Sequence, residues 1–147
     1  MKSRTGYVLT LGVCPIQWSS KLQSEIAIST TETEYITLSQ AMRELILLQR
    51  LLFEIVENME LKGPTSVILK STVFKDNNGA IATANSVKMT PMTKHIGVNY
   101  HLFKSHIGAE KGILLDKIDT LLQKADIFTK CMAPENFATM RKLMCGW

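Results

Sequence analysis

The chain has 147 residues, of which 46% are hydrophobic and 20% charged, and its formal net charge is +4. That describes an ordinary soluble globular protein with enough chain for one domain and a real core, and its mild basic excess leans towards an anionic partner. The three cysteines Cys14, Cys131 and Cys145 are widely spaced and form no C-x-x-C, which excludes a disulfide framework and a zinc knuckle and fits reduced thiols inside the cell.

Residues 6–19 read as two strands joined by a tight turn near Gly12–Pro15, with Tyr7, Leu9 and Leu11 alternating against Val8, Thr10 and Gly12. This alternation argues for a strand rather than a signal peptide behind Lys2 and Arg4, so the chain is not expected to be secreted. Ser24 to Ser29 reads as a third extended piece. From Thr33 to about Val56 the period becomes helical, with Ile36, Leu38, Ala41, Leu45, Leu48, Leu52 and Ile55 on one stripe. The apolar run from Leu45 is broken by Gln49, Arg50 and Glu54, so it is too short and too charged to span a membrane.

Ser66 to Lys75 returns to strand character, and Asn77 to Ala84 reads as a small-residue helix. Met89 to Thr93 is a loop, Ile96 to about Gly108 a helix, and Gly112 to Asp119 a last strand. Two short helices follow, near Leu122–Thr129 and Glu135–Met144. Antiparallel strands followed by strands alternating with helices predict an α/β fold, a mixed sheet with covering helices. With no repeats, linkers or low-complexity runs, residues 1–147 are expected to form a single domain.

Three acids fall at junctions of these elements: Glu34, Asp76 and Asp126. Each has a local alternative. Thr31-x-x-Glu34 matches a capping box. Asp76 precedes a helix as an N-cap would, and Asp126 lies in a first helical turn, where the macrodipole favours a negative charge. Asp76 is the only acid between Glu60 and Glu110, an interval that holds six lysines. A carboxylate at a strand end in basic surroundings suits a divalent cation beside an anionic substrate, and carboxylates from separate elements suit a two-ion clamp on a phosphodiester. The segment Asn85–Lys111 carries Lys88, Lys94, His95 and Lys104 with Glu110 as its one acid, and reads either as a solvated basic face or as a contact for phosphates. His101 and His106 stand five apart and do not make a zinc pair.

An ordered set of motifs joins these pieces: Lys2-Ser-Arg-Thr-Gly-Tyr7, Ile16-Gln-Trp18-Ser-Ser-Lys21, Thr33-Glu34-Tyr35, Asp76-Asn77-Asn78-Gly-Ala-Ile81, Thr93-Lys94-His95-Ile96, Tyr100-His101-Leu-Phe103 and Ala125-Asp126-Ile-Phe-Thr-Lys130. Over almost its whole length the chain resembles the ribonuclease H region of copia-type LTR retrotransposon Pol polyproteins. The resemblance implies a ribonuclease H-like fold and two-metal endonucleolytic hydrolysis of the RNA strand of an RNA–DNA hybrid. It also implies a covalently linked reverse transcriptase and an intracellular, cytoplasmic or nuclear, setting without a membrane. Glu34, Asp76 and Asp126 match three of the family's four catalytic acids and would hold two Mg²⁺ or Mn²⁺ ions. Lys88, Lys94, His95 and Lys104 would meet nucleic acid. The family's first aspartate lies on a strand ahead of the Lys-Ser-Arg-Thr-Gly-Tyr motif, and Met1 begins beyond it. The sheet is therefore expected to lack its first strand and the activity to be impaired, the alternative being a non-catalytic nucleic-acid-binding or orphan remnant of a retrotransposon. Gly97 also stands where the family usually has an acid, and Leu121 and Leu122 where many relatives have a histidine or polar residue.

Overall fold

The computed structural model of the chain describes residues 3–24, 26–59, 69–86 and 100–147. Strands β1 (Arg4–Leu11) and β2 (Cys14–Leu22) form an antiparallel hairpin with Tyr7 opposite Ser19 and Val8 opposite Trp18. Gly12 closes it at φ +60°, the left-handed geometry a two-residue hairpin loop requires. Helix α1 (Thr30–Asn58) follows. Strands β3 (Ser71–Lys75) and β4 (Ile113–Lys117) pair in parallel, Ser71 against Ile113 through to Lys75 against Lys117. Helix α2 (Asn78–Asn85) leaves the end of β3, and helix α3 (Pro134–Cys145) closes the chain.

The mixture of helices with antiparallel and parallel strands agrees with an α/β chain. Three sequence expectations change. The strands make two separate two-stranded sheets among the described residues, not one continuous sheet. Residues 26–29 are not a strand, because Ser29 caps α1 and the Ile28 amide donates to Glu32 Oε2 at 2.6 Å, committing the segment to the helix start. The expected helix over Leu122–Thr129 is instead two 3-10 pieces, Thr120–Leu122 and Lys124–Phe128. Leu102–His106 is also 3-10. The expected loop at Met89–Thr93 and the first part of the expected helix from Ile96 lie outside the described residues.

Helix α1 has two apolar faces. On one, Tyr35, Leu38 and Met42 join Ala80 and Ala84 of α2, Tyr100, Phe103 and Ile113 in the core. The two alanines stand four apart, one above the other on a single face of α2, and their small side chains let that helix approach α1 closely. Gln23 anchors the hairpin to α1: its buried amide donates to Thr5 Oγ1, Thr33 O and Thr37 Oγ1 at 3.1–3.3 Å.

The second face of α1, with Ala41, Leu45, Leu48 and Leu52, is only half-buried. It floors a cavity of about 540 Å³ whose walls are residues 6–12 of β1 and its turn and residues 69–75, which are β3 and the two residues before it. Among the described residues, β1 pairs only with β2 and β3 only with β4, so each has one edge without a strand partner. The cavity therefore separates two sheet edges. A five-residue strand such as β3 is roughly 17 Å long, and a strand laid between two others keeps about 4.8 Å to each.

β1 also fixes the segment that carries Asp126. A Cβ at Gly6 would meet the Thr129 side-chain methyl and would stand 3.0 Å from Phe128 Cβ and 3.2 Å from Ala125 O. Ser20 Oγ donates to Phe128 O at 2.6 Å from the neighbouring strand. Gly6→Ala should therefore push the Lys124–Phe128 turn off the hairpin and cost about 1–3 kcal/mol by overpacking. Thermal denaturation of the variant checks this, and an unchanged Tm would show that the turn is not seated on Gly6.

Candidate acidic site

Neither local alternative for Glu34 or Asp76 survives in the structure. The helix cap is Ser29, whose hydroxyl accepts from the Glu32 amide at 3.1 Å, and Glu32 is the acid that reaches back. Glu34 lies one turn into α1 and takes no part in the cap. At α2 the cap is Asn77, whose Oδ1 accepts from the Ala80 amide at 2.9 Å, so Asp76 is free of that task too. The Thr120–Leu122 turn is capped by Asp119, which accepts from the Leu121 amide at 2.8 Å. Thr120 instead donates to Asp76 Oδ2 at 3.3 Å, and Gln123 is buried with its amide on Phe74 O at 3.3 Å. These contacts hold the Thr120–Phe128 stretch against the end of β3.

The three acids meet around two lysines. Lys75, the last residue of β3, bridges Glu34 Oε2 of α1 and its own neighbour Asp76, whose Oδ1 lies 3.5 Å away. Lys130 Nζ donates to Asp126 Oδ2 at 2.6 Å, four residues earlier. Burial lowers the Lys130 pKa, but the hydrogen bond and charge of Asp126, with smaller contributions from Asp76 and Glu34, outweigh it and hold the ammonium above the usual lysine range. One small cavity, of about 30 Å³, is shared by Arg4, Glu34, Lys75, Gln123 and Asp126.

The lysines are the members that sequence reasoning missed. It counted Lys75 only as basic surroundings of Asp76. The usable signal was the two-residue period of β3: Ser71 and Val73 are half-buried, Thr72 and Phe74 exposed, and Lys75 falls on the buried face. A lysine there must find carboxylates, because an unpaired ammonium removed from water is costly.

As folded, the cluster does not fit a divalent ion. Lys75 engages Glu34 and Asp76, and Lys130 engages Asp126. Among the described residues no three His, Cys, Asp or Glu side chains are grouped as a metal ion requires.

Of the residues expected to meet nucleic acid, Lys88, Lys94 and His95 lie outside the described residues. Lys104 is turned into the fold. Its Nζ donates to Ser86 O at 3.0 Å and sits 5.7 Å from the Tyr35 ring centroid, and burial lowers its pKa. The Tyr35 hydroxyl meets His101 Nδ1 at 2.7 Å, so His101 belongs to the core around α1. All three cysteines are free and exposed. Among the described residues no helix is long and apolar enough to cross a membrane.

The two ion pairs should differ in strength, because the Lys75 side chain is 11% exposed and that of Lys130 50%. A double-mutant cycle with Glu34→Gln and Lys75→Met should give a coupling of about 2 kcal/mol or more. The matching cycle for Asp126 and Lys130 should stay below about 1 kcal/mol. Equal couplings in urea denaturation would show that burial does not separate them.

The chain is 34% identical over 143 residues, 97% of its length, to a retrovirus-related Pol polyprotein from transposon TNT 1-94 of Nicotiana tabacum. It is 31% identical over 141 residues to one from transposon RE1 of Arabidopsis thaliana and 32% identical over 129 residues to one from transposon RE2 of the same plant. These matches cover 93% and 87% of the chain. No protein-family model and no solved structure matches it. The aligned parts are 10%, 9% and 8% of the three polyproteins, so the chain spans about a tenth of the length of the curated relatives it matches. Over most of its length, this chain is homologous to a segment of the retrovirus-related Pol polyproteins of plant transposons.

Proposed function

We propose that this chain is the ribonuclease H-like region of a copia-type retrotransposon Pol polyprotein, and that it binds RNA–DNA hybrids but hydrolyses them poorly or not at all. In this reading Glu34, Asp76 and Asp126 occupy the acidic positions that, in an intact site of this kind, hold two Mg²⁺ or Mn²⁺ ions. The observation that carries the reading is the meeting of these acids, from the first turns of α1, the end of β3 and the Lys124–Phe128 turn, around Lys75 and Lys130. Neither Glu34 nor Asp76 is spent on a cap, which is what an acid kept for local structure would do.

The strand-sized cavity between β1 and β3 adds support. It is flanked by edges of β1 and β3 that have no strand partner among the described residues and is floored by the apolar face of α1, a setting that suits one added extended segment. Fusing an alternating apolar strand ahead of Ser3 should therefore raise the Tm. The second reading, a nucleic-acid-binding remnant without catalysis, is favoured by the lysines that neutralise the cluster. The two readings share the binding partner and differ only in whether any residual hydrolysis remains.

Fluorescence anisotropy of a labelled RNA–DNA hybrid tests the binding. Affinity should fall steeply with salt, and Lys94→Ala should reduce the slope of log K against log salt by about one unit. Salt-independent affinity, or none, would refute the partner. Gel analysis of the same hybrid with Mg²⁺ should show little or no cleavage by residues 1–147. Robust cleavage that Asp76→Asn abolishes would overturn the inactive reading.

A further inference from the structure

We infer that Lys75 is the resident cation of the acidic cluster and that the cluster takes up no Mg²⁺ or Mn²⁺ while Lys75 is in place. The cause begins in the strand. Inward positions of β3 alternate as Ser71, Val73 and Lys75, so the pleat aims the lysine stem at α1 and not at water. The residue is 8% exposed. Turning the side chain fully into solvent while β3 keeps its register would place it on the face of Thr72 and Phe74, so the ammonium stays with the carboxylates on the inner face.

Glu34 and Asp76 are the charges that make this burial tolerable. They reach the same Nζ from two different elements, so the ammonium stands between them as a bridging metal ion would. It differs from a metal in two ways. It is covalently part of the strand and cannot dissociate. It also carries one charge, so the formal sum over Glu34, Asp76, Asp126, Lys75 and Lys130 is −3 + 2 = −1. A divalent ion would have to displace Lys75 or lie beside it against like-charge repulsion. Lys130 offers no such obstacle, since its side chain is half-exposed and can swing into water.

The inference rests on the contacts of Glu34, Lys75 and Asp76. Metal uptake and hybrid affinity are separate measurements, so failure here leaves the proposed binding partner standing, and the reverse holds too.

The test is Mn²⁺ titration followed by electron paramagnetic resonance of the free ion, with thermal unfolding in chelator and in Mn²⁺. The full chain should take up no Mn²⁺ that depends on Asp76, and Lys75→Arg should behave in the same way. Lys75→Met should lower the Tm in chelator and gain a bound Mn²⁺ together with a Mn²⁺-dependent rise in Tm. Adding Asp76→Asn to it should remove both gains. Lys75→Gln, which is one atom shorter but keeps a donor group, should repeat the result in a better-tolerated background. Uptake by the unaltered chain that Asp76→Asn abolishes would overturn the inference, and so would a folded Lys75→Met or Lys75→Gln that gains no Mn²⁺. If neither neutral variant folds while the unaltered chain takes up no Mn²⁺, the ammonium is an obligatory counter-ion and the inference is supported.

Discussion

A lysine on the buried face of a strand constrains this molecule more than any other single residue. Lys75 cannot be left unpaired, so α1 must bring Glu34 within reach and the chain after β3 must leave Asp76 beside it. The pairing fixes the axial position of α1 against β3, while Val73 packs against the core from the same strand face. Burial of ion pairs returns little net stability compared with an apolar pair of the same volume. Its structural consequence is registry, because a slip of one residue in β3 would carry the ammonium to the solvent face and strand two carboxylates.

Helix α1 then divides the molecule. One side supplies Tyr35, Leu38 and Met42 to a core closed by α2, Tyr100, Phe103 and Ile113. The other presents Ala41, Leu45, Leu48 and Leu52 to a cavity bounded by two sheet edges. Such edges invite pairing, and an apolar floor beneath them favours an extended segment over a helix. The two sheets are held in place meanwhile by polar links: Gln23 between the hairpin and α1, and Gln123 and Thr120 between the later turns and the end of β3.

The relatives add context that the geometry alone lacks. They are retrovirus-related Pol polyproteins, and the chain matches about a tenth of each. Within that segment the acidic cluster is electrostatically nearly balanced, with three carboxylates against two ammonium groups. A site built for divalent ions keeps its carboxylates uncompensated until the ions arrive, since their mutual repulsion is what the ions relieve. Here lysines supply that relief, Lys75 from within the fold and Lys130 from its surface.

The sequence by itself determined the elements with strong periodicity. The hairpin, α1, α2, α3 and the last strand lie within a few residues of their expected bounds, because alternation, helical spacing and turn residues act over short distances. It also singled out Glu34, Asp76 and Asp126 as acids at junctions. Tertiary structure decided what those acids do. Only the fold shows that Ser29 and Asn77 take the capping positions, since a cap depends on which residue leaves helical geometry first. Only the fold shows two paired sheets with a cavity between them, because strand pairing is a long-range choice that alternation does not encode. The role of Lys75 was half legible: a period of two places it on the face of Ser71 and Val73, but the identity of that face as the buried one, and of Glu34 as the charge waiting there, depends on packing between residues forty-one positions apart.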